Sequence, residues 1–384
     1  MECEPIAHAT SPTRAWPLFA AGCLVGALFA VWWLYFGEPW EVLADGRHYV
    51  AMYRGEIAAA PYAYRVLEPA IARLLPWNPQ AGFAVVTISC LILTSGILAL
   101  YAARTPTRWF RAISISMLWG LSFPFAYLAT TQVRAEAPAL CLLAIAVLLS
   151  RQRAHLLVLA ALIALGSLSH EMMLIFIPAL WLDRLVGGDL TGGARYRYRE
   201  LLILTLIAIA CFIAIRRSVP ILSGQVSYAT TSPLEMFRYV LAYSGGPIKH
   251  GLRIYAAFGP TLIFAVLFLA AERRSPNTKV FLGLALIAVA ATFMATDTLR
   301  VLELIYLPIT LYSAAYLTGF WQQGQRTRTV LLVATHTAFA AVVFGHLRTF
   351  ESSQLLNRAA GFLSLAALVL CLVPGRKPAP LTIP

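Results

Sequence analysis

Runs of about 20 apolar residues recur along this 384-residue chain, and no other feature limits its fold so tightly. A helix of that length is about 30 Å long, the thickness of the hydrocarbon core of a bilayer. In that solvent each backbone N–H and C=O must be satisfied within the chain, which leaves helices or closed barrels. The runs lack the strict alternation of barrel strands, so an all-α, polytopic helical membrane protein is expected. Its composition agrees: 60% hydrophobic residues, 12% charged residues and a mean hydropathy of +0.73 exclude an ordinary soluble domain of this size.

About twelve hydrophobic segments are expected, at roughly 17–36, 79–103, 110–128, 135–150, 155–168, 170–183, 200–215, 256–271, 280–296, 302–321, 329–346 and 358–374. Two of them, 156–168 and 172–182, are too short to cross alone. They are joined by Ser169, His170 and Glu171, which predicts a short hairpin with a polar tip. Residues 1–13 are polar and no A-x-A-like site follows the first span, so no cleaved signal is expected. No internal repeat is visible. The expected organisation is one membrane domain over 1–384, with cytoplasmic tails at 1–16 and 375–384 and long extracytoplasmic loops at 37–78 and 216–255.

The net charge of +13 raises the question of nucleic acid, but its distribution answers it. With both termini in the cytoplasm, 17 of the 30 basic and 6 of the 17 acidic residues fall inside. The inside then carries +11 and the outside +2, as the positive-inside rule requires of an even number of spans. No nucleic-acid partner is implied, and the basic, aromatic stretch ARYRYRE (194–200) suits lipid headgroups. The six cysteines show neither CxxC nor Cys/His ligand spacing and read as small apolar filler.

The polar residues concentrate in the first long loop. Residues 40–57 have helical periodicity that places Asp45, His48, Tyr49 and Met52 on one face, and Pro61 ends it. A second helix from Tyr62 to about Leu75 would stack Tyr64 with Glu68 beside Arg65. Both are short and amphipathic, which suits the membrane interface. Desolvation there would raise a carboxylate toward the pKa of a general base, so Asp45 is the candidate catalytic residue. It competes with a helix cap or a pairing with Arg47. Arg65 beside two tyrosines suits bidentate phosphate capture, against a plain Glu68 salt bridge.

Further ionisable groups lie at the outer ends of later segments, where burial is costly. These are Arg134 and Glu136 in TTQVRAEAP, His170 and Glu171 in SLSHEMM, and Asp297 and Arg300 in ATDTLRVLEL. Arg134 and Glu136 could simply pair, Asp297 could cap a helix, and Glu303 could neutralise Arg300. No metal-ligand spacing stands out, although Asp45, His48 and Glu171 would suit a divalent ion if they converge. No Walker loop, GxGxxG, GxSxG or HExxH motif is present.

This pattern resembles the GT-C superfamily of polytopic glycosyltransferases. The likeness rests on GEPWEVLADGRHYVAMYRG followed by PYAYRVLEPAI, on LGSLSHEMMLIFIPALWL and on ATDTLRVLELIYLP. It departs from that superfamily in lacking a DxD or tandem acidic pair and a large C-terminal soluble domain. The resemblance implies sugar transfer from a polyprenyl-phosphate-linked donor to a glycan or lipid acceptor, at the extracytoplasmic face of a bacterial inner membrane. Asp45 would take the acceptor proton, Arg65, Arg134 or Arg300 would hold the leaving phosphate, and Tyr49 and Tyr64 would stack on sugars. The nearest rival is a polysaccharide polymerase joining lipid-linked repeat units, favoured by Arg216, Arg217, Arg238, Lys249 and Arg253 in the second long loop. A transporter is disfavoured because the chain has no paired repeat halves.

Overall fold

The computed structural model describes residues 12–37, 44–58, 62–186 apart from 104, 106 and 153, 196–220, 233–292 apart from 244, 302–346 and 353–373. Among these residues the chain is helical and has no strand. α1 (Pro12–Phe36) is followed by two short helices, α2 (Ala44–Tyr53) and α3 (Leu67–Arg73). Next come α4 (Pro79–Leu100), α5 (Arg108–Gly120), α6 (Phe123–Thr131) and α7 (Glu136–Arg151). The hairpin of α8 (Leu156–Ser169) and α9 (Phe176–Val186) precedes α10 (Tyr198–Ser218), α11 (Pro233–Tyr243) and α12 (Pro247–Phe258). Then follow α13 (Pro260–Ala271), α14 (Pro276–Thr292), α15 (Tyr306–Gln322), α16 (Arg326–Phe344) and α17 (Gln354–Leu372). The described part of each expected hydrophobic segment is mainly helical, with 110–128 divided between α5 and α6 and 256–271 between α12 and α13, while residues 293–296 of the 280–296 segment lie outside the described residues.

α1, α4, α10, α16 and α17 are each long and apolar enough to cross a membrane, and two bent pairs raise the number to seven. The α5–α6 pair turns by 53°, where the Ser122 hydroxyl caps α6 and Pro124 sits in its first turn. The α12–α13 pair turns by 88° at Gly259, whose φ of 54° and ψ of −140° suit only glycine. A Cβ there would lie 2.2 Å from the Phe339 ring. That corner moves the start of the expected 256–271 segment to Pro260.

α4 is central, packing on α1, α3, α5 and α7. Small residues make this possible: a Cβ on Gly96 of α4 would meet Cys23 and Phe19 of α1, and one on Gly22 would meet Ala99 and Ser95. Lipid gives no hydrophobic drive for helices to associate, so close backbone approach of this kind supplies the dispersion contact instead. The Trp33 indole N–H donates to the Gly120 carbonyl at 2.7 Å and ties α1 to α5. On the other side of α10, Leu202, Leu206, Ile209 and Ile213 form an exposed stripe suited to lipid.

Side-chain contacts divide the bundle into two ends. At one end Phe110 stacks on Trp321 at 4.2 Å, Gln322 reaches Thr107, and Tyr196 donates to the Ala154 carbonyl. The first loop, residues 132–136, the hairpin tip and the end of α10 meet at the other.

Candidate active site

Prolines shape the site end. A proline inside a helix lacks the N–H that would bond the carbonyl four residues earlier, and its ring clashes with that carbonyl. Pro69, Pro138 and Pro178 each occupy the third residue of their helix, in α3, α7 and α9. Arg65 and Arg134 stand four residues before two of them and are therefore left outside the helices. The expected helix from Tyr62 to Leu75 is thus broken into a 3₁₀ turn at Tyr62–Tyr64 and α3 from Leu67. The expected helix over 40–57 is confined, within the described residues, to α2. Before Pro178 the chain likewise runs as a 3₁₀ turn, Glu171–Ile175.

Freed from the helix, Arg65 turns into the protein and is 6% exposed. Its Nε and Nη2 donate to the two carboxylate oxygens of Glu171 at 3.1 and 2.7 Å, and its Nη1 donates to the Tyr49 hydroxyl at 3.1 Å. The expected Glu68 salt bridge is not the contact Arg65 makes; its partner lies 106 positions away. Burial works against the Arg65 charge, but Tyr49 and Glu171 outweigh it and hold its pKa raised. Burial also resists ionisation of Glu171, yet His170 and Arg65 hold its carboxyl below the usual range. His170 is pushed down to about 4 by burial first and by Arg65 second, so near pH 7 it is neutral and Arg65 is the cation that matters.

Tyr62 joins these groups. The His48 ring stacks on it at 4.6 Å, Tyr49 meets it edge-on at 5.9 Å and the Arg65 guanidinium lies 5.9 Å over it. Residues 132–136 close the next side. Gln132 ends α6 with a φ of 53°, rare for a residue with a Cβ. Arg134 is buried with its guanidinium 5.3 Å over the Tyr127 ring. Glu136 is buried 3.9 Å from the His170 ring, and the Ser169 hydroxyl donates to the Ala135 carbonyl, fastening the hairpin tip to this crossing.

Glu68 is fully buried and does not stack with Tyr64. One carboxyl oxygen lies 2.7 Å from the Thr87 hydroxyl, which is also 2.7 Å from the Gln132 carbonyl. A carbonyl can only accept, and Thr87 has one proton to give it. The second bond therefore takes its proton from Glu68, which is a neutral acid. Burial pushes its pKa well up, partly offset by Thr87, in agreement with that count. Tyr64 instead carries Arg216, from the last turn of α10, 4.4 Å over its ring.

His48, Tyr49, Tyr64, Arg65, Arg134, Glu136, His170 and Glu171 thus come together from three separate stretches. The Asp45 side chain, Asp297 and Arg300 lie outside the described residues, as does the Glu303 side chain. The divalent-ion reading turns on Asp45 and is untouched by the geometry. Glu68, Thr87, Ser169 and Arg216 are additions to the expected set. None of these four carries a local signal, whereas the Arg-x₃-Pro spacing at 65–69 and 134–138 marks Arg65 and Arg134 as residues that leave their helices.

The family model described as the EpsG family matches residues 23–357. No curated protein and no solved structure matches the chain.

Proposed function

The chain belongs to the EpsG family, one of membrane proteins of the polysaccharide polymerase type, and on that premise we propose that it joins lipid-linked glycan repeat units. The family favours this polymerase reading over the transfer of a single sugar from a polyprenyl-phosphate donor, which stands as the second reading. The observation that carries it is the family match over residues 23–357, which takes in the three stretches that converge at the site end.

The site would face the extracytoplasmic side, since the charge distribution puts that end opposite the basic loops. In the reaction an acceptor hydroxyl oxygen attacks the anomeric carbon of a lipid-phosphate-linked glycan. The C–O bond to phosphate breaks, the lipid phosphate leaves with the electron pair, and a base takes the hydroxyl proton. Asp45 is the proposed base, on the first turn of the helix that also carries His48 and Tyr49. Tyr49 is fully buried and cannot stack on a sugar as expected, and the half-buried His48 and Tyr62 offer that aromatic surface instead. Arg65 is neutralised by Glu171, so its role is to hold the first loop against the hairpin tip.

Ile175, four residues beyond Glu171, lines an apolar cleft with Leu143, Phe176, Leu284, Ile305 and Leu311. The test is the glycan profile of a strain lacking the gene, compared with the same strain carrying it. The polymerase reading expects single lipid-linked repeat units to accumulate while long chains vanish. Repeat units each short of one sugar would overturn it in favour of the second reading, and an unchanged profile would overturn both.

A further inference from the structure

Arg65, Glu171, His170 and Glu136 are committed to one another, whereas Arg216, among the described residues, is held by aromatic rings. Its guanidinium lies 4.4 Å over the Tyr64 ring and 4.6 Å over the Phe212 ring, so aromatic faces hold its plane. Its Nε is buried without a hydrogen-bond partner, and no carboxylate among the described residues pairs with it. Glu171 is paired with Arg65, and Glu68 lies against Thr87. A guanidinium held by its faces keeps its N–H edge free, and that edge matches two oxygens of a phosphate. Val219 and Pro220, one turn beyond Arg216, line an open groove with Ala63 and Val66, which flank Tyr64 and Arg65, and with Glu56 and Arg73.

We propose that Arg216 is the cation that holds the substrate's phosphate group, with Tyr64 as its platform. This assigns to α10 a role that the sequence placed on Arg65, Arg134 or Arg300, and it rests on the lipid-phosphate reading above.

The test is binding of polyprenyl phosphate to the purified protein in lipid nanodiscs, with the unphosphorylated polyprenol and inorganic phosphate as comparison probes. Arg216→Gln should weaken polyprenyl phosphate about tenfold to a hundredfold, the loss of one charge-assisted contact. Arg216→Lys should recover part of that loss. Arg217→Gln, at the exposed neighbouring position, should stay within about twofold of wild type. Polyprenol affinity should not respond to Arg216→Gln, which separates phosphate recognition from altered packing. Competition by inorganic phosphate at similar concentration would place recognition in the phosphate alone, and its absence would place it in the lipid phosphate; either supports the assignment. Wild-type affinity in Arg216→Gln overturns the assignment and leaves the polymerase reading standing. If wild type binds polyprenyl phosphate no better than polyprenol, the lipid-phosphate reading itself fails and the assignment with it.

Discussion

Replacing Glu171 by glutamine tests the ion pair that joins the first loop to the hairpin tip. The substitution keeps the shape but removes the charge, and it turns one acceptor into a donor pointing at the Arg65 guanidinium. Arg65 is 6% exposed, so it keeps a charge for which the Tyr49 hydroxyl is the remaining partner. Breaking a buried pair from one side costs about 3–5 kcal/mol. The Glu171 side chain is 29% exposed, so water relieves part of this and about 2–4 kcal/mol is expected. The double variant Arg65→Gln/Glu171→Gln removes both charges and leaves two amides able to pair. It should therefore be more stable than Glu171→Gln alone, by at least about 1 kcal/mol. Denaturant unfolding of the purified proteins in one detergent, followed by circular dichroism, gives the comparison. A Glu171→Gln protein within about 0.5 kcal/mol of wild type, or a double variant less stable than the single, would refute this reasoning.

Glu68→Gln should fold and function nearly as wild type, because an amide N–H can replace the acid proton toward Thr87. Glu68→Ala should cost about 2–3 kcal/mol, and the infrared band of a protonated carboxyl should vanish in both variants. Burial lowers the folded-state pKa of His170 from 6.5 to about 4, so the unfolded chain takes up the proton first. Stability should fall as pH drops below about 6.5, by about 3 kcal/mol in all near pH 4, and be flat above. Glu171, with its folded pKa lowered, begins to lose its contribution only below its ordinary 4.5, so a series from pH 7 to 5 reports on histidines alone, and His170→Gln should lower the slope by the His170 share while leaving that of the buried His250 and His336. Gly259→Ala should cost about 2–4 kcal/mol through its positive φ and the clash with Phe339, read as a lowered unfolding midpoint.

The helices were legible because lipid punishes polar backbone and side chains alike, so hydropathy windows near 79–103 or 358–374 carry a strong signal. The hairpin was legible from two short apolar runs around Ser169, His170 and Glu171. Partners were less so. Glu68 lies three residues from Arg65 and looks like its counter-ion, yet Pro69 breaks the helix that would have stacked them and Glu171 takes its place. The neutral state of Glu68 depends on Thr87 and Gln132, 19 and 64 residues away, which no local spacing encodes. Arg216 looked like one of several loop cations. Its place over Tyr64 follows from how α10 packs on α8, a tertiary fact.

The central claim is that this end of the bundle extends glycan chains on a lipid, with Asp45 as the base. The most direct measurement supplies lipid-linked repeat units to the purified protein in liposomes and resolves the products by length. A ladder of chains from wild type, lost in an Asp45→Asn protein that keeps its unfolding midpoint, is the predicted result. Unextended repeat units with active-fold wild type, or an undiminished ladder from Asp45→Asn, would contradict it.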